Sequence, residues 1–273
     1  MTTAYPLVSV LMTVYNREKY LAAAIQSVLD SSYVHFELII VDDCSTDRSV
    51  AIANEYAEKD HRIRCFVNES NLGDYPNRNK AAGYAQGKYI KYVDADDTMY
   101  YYGLEVMVTF TEQFPEAGFG LGGYPDDDRP CPFLLSPHDI YLDSFYKTNH
   151  FDRAPGSGLI KTAAFQAIGG FSGQRMVGDF EFWLRLSRYY SMVKLPADLH
   201  WNRLHHDQES KTDYARKNYP ILKKKILEDN FNHPDCPLSA EEIKAIRAKI
   251  KKSERKDKLL QALAAVNKWA KFT

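Results

Sequence analysis

The chain has 273 residues, 45% of them apolar, with 35 Lys and Arg against 36 Asp and Glu. That length suits one large domain or a domain with an appendage, and the apolar share is enough for a full core. A balance so close to neutrality excludes a nucleic-acid binder working through global charge, because such domains are strongly basic.

Residues 7–14 form a near-continuous apolar run that suits a buried parallel strand. Residues 17–29 carry Leu21, Ile25, Val28 and Leu29 at helical spacing. A second strand is predicted over 36–41, then a helix capped by Ser45 or Thr46 and running to about Glu58. A third strand over 63–67, a helix over 76–86 closed by Gly87, and a fourth strand over 88–93 continue the pattern. Strands alternating with helices of this length imply an α/β fold, a mostly parallel sheet flanked by helices. The pattern loosens after Phe114. Residues 118–157 are rich in Gly, Pro and Asp and read as functional loops or lids. It returns at 158–161 and in a predicted helix over 179–188.

From Pro237 the composition becomes basic. Ser239 and Glu242 form a capping box ahead of a helical stretch carrying Ile243, Ile246, Ile250, Leu259, Leu260, Leu263, Val266 and Trp269. Residues 237–273 hold ten basic and four acidic side chains, a net +6. Such a helix can lie on an anionic membrane surface, giving peripheral contact at its inner face. Packing of a helical appendage on the main domain is the favoured expectation, since Lys and Glu are good helix formers. Cys44, Cys65, Cys131 and Cys236 lack zinc-ligand spacing and the density of a disulfide scaffold, so reduced thiols in a cytoplasmic protein are expected. No apolar run approaches the ~20 residues that cross a bilayer. Residues 7–14 are too short, and lack the basic flank, for a secretory signal.

The fourth predicted strand runs into Asp94, Asp96 and Asp97, three carboxylates within four residues. Each disfavours ionisation of its neighbours. A bound cation relieves the crowding, and Mg²⁺ or Mn²⁺ combines carboxylate with phosphate oxygens. Ligands of open α/β sheets sit beyond the carboxyl ends of the strands. The segment Asp94-Ala95-Asp96-Asp97 thus reads as a metal-diphosphate site, with a solvated acidic turn as the plainer alternative. Two more loops follow strand ends, Thr13-Val14-Tyr15-Asn16-Arg17 and Val41-Asp42-Asp43-Cys44-Ser45-Thr46-Asp47. A nucleotide at this edge needs a plane for its base, an acceptor for the base N–H, ribose partners and a cation. Tyr15 offers the plane, Asp42 the acceptor, and Asp94 and Asp96 the rest. Taken singly, Asp42 and Asp43 are ordinary strand-end caps, Arg78 a surface ion-pair former and Asp179 a helix cap. His205 and His206 beside Asp207 read as a solvated loop.

In combination these segments resemble the family 2 inverting glycosyltransferases of the GT-A (Rossmann-like) fold. The matching text is Val8-Ser9-Val10-Leu11-Met12-Thr13-Val14-Tyr15-Asn16 and Ile39-Ile40-Val41-Asp42-Asp43-Cys44-Ser45-Thr46-Asp47. It continues through Asn71-Leu72-Gly73, Asn77-Arg78-Asn79-Lys80-Ala81-Ala82 and Tyr92-Val93-Asp94-Ala95-Asp96-Asp97. The later part matches more thinly, at Gly169-Gly170-Phe171, at Gly178-Asp179-Phe180-Glu181-Phe182-Trp183-Leu184-Arg185 and at Arg203, His205 and Ser210. The resemblance implies that Thr13, Tyr15, Asp42 and Arg78 hold the base, with Asn16, Arg17, Asp43 and Ala95 completing the nucleotide-sugar site. It implies that Asp94 contacts ribose and sugar, that Asp96 binds Mn²⁺ or Mg²⁺ with weaker help from His205, and that Asp179 is the catalytic base. Gly178 stands where the family often has Glu, which removes a carboxylate that could orient the acceptor.

The implied activity is metal-assisted transfer of a single sugar from a nucleotide-diphosphate sugar, UDP-linked by resemblance, to a glycan or lipid-linked acceptor. The implied organisation is a GT-A domain over 1–220, divided into a nucleotide-binding half (1–112) and an acceptor half (113–220), with a helical extension over 221–273. A nucleotidyltransferase is the runner-up, but the first loop lacks a Gly-rich basic phosphate cradle. A degenerate sugar-nucleotide-binding module is the non-enzymatic alternative. Membrane helices and the Gln-x-x-Arg-Trp segment of processive synthases are not found.

Overall fold

The computed structural model describes residues 5–123, 129–197, 199–204 and 212–269. The first half alternates as the apolar spacing requires: β1 (Val8–Val14), α1 (Leu21–Leu29), β2 (Phe36–Asp42), α2 (Ser49–Ala57), β3 (Ile63–Val67), α3 (Asp74–Gly83) and β4 (Tyr89–Tyr92). These strands lie parallel in the order β3-β2-β1-β4. Alternate residues serve two cores. Leu11, Ile39 and Val41 face one, and Val10, Met12, Leu38 and Ile40 face the other. Both faces are covered, so the strands are apolar almost throughout.

Beyond β4 come β5 (Thr98–Met99), α4 (Gly103–Thr111), β6 (Phe119–Gly122), β7 (Phe133–Leu135) and α5 (Pro137–Tyr146). They are followed by β8 (Gly158–Lys161), α6 (Thr162–Ala167), α7 (Gly178–Tyr189), β9 (Met192–Leu195) and β10 (His200–Trp201). The eight-stranded sheet has the order β3-β2-β1-β4-β8-β6-β9-β7. β8 is antiparallel to β4 and β6, β6 is parallel to β9, and β7 is antiparallel to β9. β5 and β10 form a separate antiparallel ribbon directly after the acidic loop.

The structure corrects several sequence expectations. The segment 118–157, read as loop, contains β6, β7 and α5. Its glycines mark close approach rather than turns. A Cβ on Gly120 would lie 2.6 Å from the Thr111 hydroxyl oxygen, and one on Gly118 would lie 2.5 Å from the Tyr190 side chain. α5 starts with Pro137 and a reciprocal cap: Ser136 Oγ accepts the Asp139 N–H at 3.2 Å, and Asp139 Oδ2 accepts the Ser136 N–H at 3.4 Å. Ser45 and Thr46 do not cap α2. Ser45 Oγ accepts the Asn16 N–H and the Thr46 N–H donates to Asn16 Oδ1, so both residues tie the first two loops together. The N-cap position is Arg48, which makes no side-chain cap, and Asp47 just before it accepts the Ser49 N–H through Oδ1 at 2.9 Å. The helix expected from residue 17 begins at Leu21, because Tyr20 and Leu21 turn back onto the Arg17 carbonyl. Lys91, a charged residue inside the fourth strand, is fully buried, and its Nζ donates to the Gly156 carbonyl. Burial pushes its ammonium down to about 7.

Two further helices, α8 (Asp213–Phe231) and α9 (Ala240–Trp269), complete the chain. Residues 220 and 221 lie inside α8. Ile226 and Phe231 of α8, Leu238 of the connection and Ile246 of α9 all join the core cluster around Trp183. Ser239 and Glu242 form the expected reciprocal cap at the start of α9.

Candidate active site

β2, β1 and β4 are neighbours, so their carboxyl ends bring the three loops into one rim. Beneath that rim lies an open cleft of about 490 Å³. Thr13, Tyr15, Arg17, Asp43, Arg78, Asp94, Ala95 and Asp96 line it. Asn16, Asp42 and Asp179 do not reach that lining. Three non-glycine residues with positive φ stand in the loops that build the region: Asn16 (52°), Cys44 (68°) and Met176 (71°). Asn tolerates this conformation. Cys and Met rarely adopt it, and such strain collects where a loop must aim functional groups.

In the first loop Tyr15 is 47% exposed, enough to offer a ring face. Arg17 donates through Nε to Asp96 Oδ2 at 3.0 Å and through Nη1 to the Tyr15 and Asn16 carbonyls. In the second loop Asp42 is 2% exposed. Its Oδ1 accepts the Ser45 N–H at 2.8 Å, while its Oδ2 is buried with no hydrogen-bond partner among the described residues. A buried, unmatched acceptor is costly unless a donor arrives. Asp43 uses both oxygens internally. Oδ1 accepts from the Asn68 amide and the Leu72 N–H, and Oδ2 accepts from the Gly73 N–H. It thereby shapes the 68–73 loop, whose Gly73 has a φ of 85° that glycine supplies without strain.

The third loop carries the charge. Arg78 of α3 is ion-paired at 2.8 Å with both Asp74 and Asp94 and sits 5.5 Å from the Tyr92 ring centre. Sequence reasoning gave it the nucleotide base; its guanidinium lies on these two carboxylates. Arg203 donates its N–H to Asp97 Oδ1 and its Nε–H to the Asp96 carbonyl. Asp97 is pushed up to about 7, first by burial and then by the Asp94 charge, with Asp96 adding to it. Among the described residues, no three His, Cys, Asp or Glu side chains are placed together to hold a metal. One carboxylate with phosphate oxygens is a sufficient donor set for Mg²⁺ or Mn²⁺. Asp96, 17% exposed on the cleft, fits that role, with Arg17 as its cationic partner in this structure. His205 and Ser210 lie outside the described residues.

Asp179 occupies the first turn of α7. Its Oδ1 accepts the Phe180 N–H at 2.8 Å and faces the Tyr75 hydroxyl at 3.4 Å. Burial lifts its carboxyl to about 6, against opposing pulls from the Phe180 N–H and from Arg78. Sequence reasoning placed Asp97 in the acidic segment without a role of its own and passed over Asp74, Asn71, Gly73, Asn77, Ala154 and Asn202, and all of these line the cleft. Asn71, Gly73 and Asn77 stood inside the motif text quoted above. Ala154 and Asn202 carried no local signal, since only folding brings them to the first three loops.

The family model described as glycosyl transferase family 2 matches residues 9–169. A Bacillus subtilis (strain 168) protein named as a teichuronic acid biosynthesis glycosyltransferase, TuaG, is 38% identical over 151 residues, covering 54% of this chain and 60% of that protein. The match therefore spans less than two thirds of that relative. Crystalline S. aureus TarS (residues 1–349) in complex with UDP-GlcNAc superimposes with a TM-score of 0.69 at 19% identity, covering 89% of this chain and 70% of the other. The mannosyltransferase PcManGT from Pyrobaculum calidifontis, in complex with GDP-Man and Mn²⁺, gives a TM-score of 0.66 at 16% identity, covering 85% and 66%. At these identities the two structures establish likeness of fold, with the central sheet and flanking helices of GT-A proteins.

Proposed function

The chain belongs to glycosyl transferase family 2 and is a glycosyltransferase, and from that premise we propose that it moves one sugar from a UDP-sugar to a hydroxyl of a glycan or lipid-linked acceptor, with inversion. The acidic floor of the cleft carries the reading. Burial and the charges of Asp94 and Asp96 hold Asp97 up to about 7, a state that a divalent cation accompanying a diphosphate would relieve. Asp42 Oδ2 stands outside the cleft lining but has no hydrogen-bond partner among the described residues, and this open acceptor supports a base with a ring N–H, such as uracil. Tyr15 and Thr13 frame the base, and Asp94, held by Arg78, faces ribose and sugar. TarS in complex with UDP-GlcNAc and PcManGT in complex with GDP-Man share the fold, which supports a nucleotide-sugar donor.

Asp96 would hold a divalent ion, which would supply positive charge for the departing diphosphate. Arg17, which pairs with Asp96 at 3.0 Å on the cleft, would be placed to pair with the same phosphates. Asp179 receives the proton of the attacking acceptor hydroxyl. Its elevated pKa, about 6, makes it a better base than an ordinary carboxylate while keeping it ionised at neutral pH. Such a base is worth ~10²–10⁴-fold in rate. The free cysteines suit a reducing, cytoplasmic setting. Among the described residues no helix is long and apolar enough to cross a membrane.

Thermal unfolding with UDP, GDP and dTDP, each with and without Mn²⁺, tests the donor assignment. A ligand at 100 times its Kd raises stability by ~2.7 kcal/mol. UDP with Mn²⁺ is expected to give the largest rise, and equal response to all three nucleotides, or indifference to Mn²⁺, would defeat this reading.

A further inference from the structure

We propose that Tyr75 is the positioning residue of Asp179, and that residue 178 is glycine because the Tyr75 ring fills the space its side chain would take. The proposal rests on Asp179 being the base. Tyr75 lies in the first turn of α3, beside Asp74 and one turn before Arg78, and is 8% exposed. Its hydroxyl accepts the Asp179 N–H at 3.2 Å, which leaves its own hydrogen to point at Oδ1, 3.4 Å away. Oδ1 also accepts the Phe180 N–H. One carboxylate oxygen is thus held from two sides. Among the described residues Oδ2 has no hydrogen bond, and it is the oxygen left for proton transfer.

The second half of the proposal comes from Gly178. A Cβ there would sit 2.6, 2.7 and 2.8 Å from Cε2, Cζ and Cδ2 of Tyr75. The φ of Gly178 is outside the left-handed region, so its backbone does not demand glycine. The ring cannot easily yield, because it packs 5.3 Å from the Phe171 ring centre and is tethered through its hydroxyl. Absence of a side chain at 178 is therefore the condition for a phenol to reach the base. Where sequence reasoning saw a missing carboxylate, the fold supplies a neutral donor from α3. This contact also joins the helix carrying Asp74 and Arg78 of the cleft to the helix carrying Asp179.

Among the described residues, the groups facing Asp179 are Tyr75 and Arg78 from α3, Asp152 from the segment after α5, and Tyr219 and Lys223 from α8. Arg78 and Lys223 favour its ionised form and Asp152 opposes it. Deleting the hydroxyl takes away a donor to the carboxylate, so the midpoint moves up.

The test is carbon-13 NMR of aspartate-labelled protein, with the Asp179 carboxyl signal assigned by its loss in Asp179→Asn. In Tyr75→Phe the titration midpoint of that signal is expected to rise by roughly half a unit or more. Gly178→Ala is expected to lower the unfolding midpoint by roughly 3–10 °C, and that loss is expected to vanish in a Tyr75→Ala background. An unmoved Asp179 midpoint, beside an Asp179→Asn variant that has lost transfer, overturns the Tyr75 assignment alone. An equal Gly178→Ala loss in both backgrounds overturns the packing argument. Retained transfer in Asp179→Asn would instead overturn Asp179 as base, and with it any positioning role for Tyr75.

Discussion

Residues 8–92 and residues 119–195 each give four strands to the same sheet, yet they are held together differently. In the first set every pairing is parallel and the strands run 4 to 7 residues. In the second the strands run 3 or 4 residues and two of the three internal pairings are antiparallel. The first set stacks its strand ends into a ligand rim. The second is organised around Trp183, which is fully buried, packs against Phe119 and Phe182, and donates its indole N–H to the Arg153 carbonyl at 2.7 Å. The difference teaches a division of labour: the proposed nucleotide site lies on regular βα units, while the proposed catalytic base, Asp179, stands on a helix placed by long-range aromatic packing.

That division can be broken experimentally. Asp179→Asn is expected to cut transfer by at least ~10²-fold while UDP binding by calorimetry stays at the parent level; lost nucleotide affinity would mean the two halves are not separable. In the parent, kcat/KM is expected to rise with pH through about 6 and then level. Asp179 is protonated below that value and able to accept a proton only above it, so a flat profile across this range would remove its catalytic role. Trp183→Ala is expected to destabilise the protein by ~3–5 kcal/mol in denaturant unfolding. A loss under 1 kcal/mol would show that the second half does not depend on this ring. Gly120→Val tests whether its glycine marks crowding. Overpacking against Thr111 and Leu195 should lower stability by ~1–3 kcal/mol, whereas a neutral result would return the segment to the loop that composition suggested. Smallest is Ser136→Ala, which removes the α5 cap and is expected to lower stability by ~1 kcal/mol.

The legible part of the sequence follows the same division. β1, β2 and β3 lie within a residue of their expected bounds, because a run buried on both faces is apolar from end to end and turn residues close it. The predicted loops emerge from adjacent strands because parallel βα units put every strand's carboxyl end on one side. The segment 118–157 was illegible for a physical reason. Gly118 and Gly120 are glycines because Tyr190 and Thr111 leave no room for a Cβ, and residues distant in the chain impose that requirement. The cap of α5 was missed because Asp139 stands where the capping-box pattern has Glu or Gln. The burial of Lys91 was not legible either, because its partner, the Gly156 carbonyl, comes from the distant 155–157 turn.

From the sequence alone came the class of fold, the family, and the acidic loop that ends β4, since these depend on local periodicity and on residues close together in the chain. Tertiary structure alone decided what each carboxylate faces. Among the described residues it left Asp42 Oδ2 unmatched, gave both oxygens of Asp43 to backbone and amide donors, drew Arg78 onto Asp74 and Asp94, and set the Tyr75 hydroxyl against Asp179. The reason is that burial and through-space partners set the state of an ionisable group, and those are settled only when residues as far apart as 75 and 179 meet.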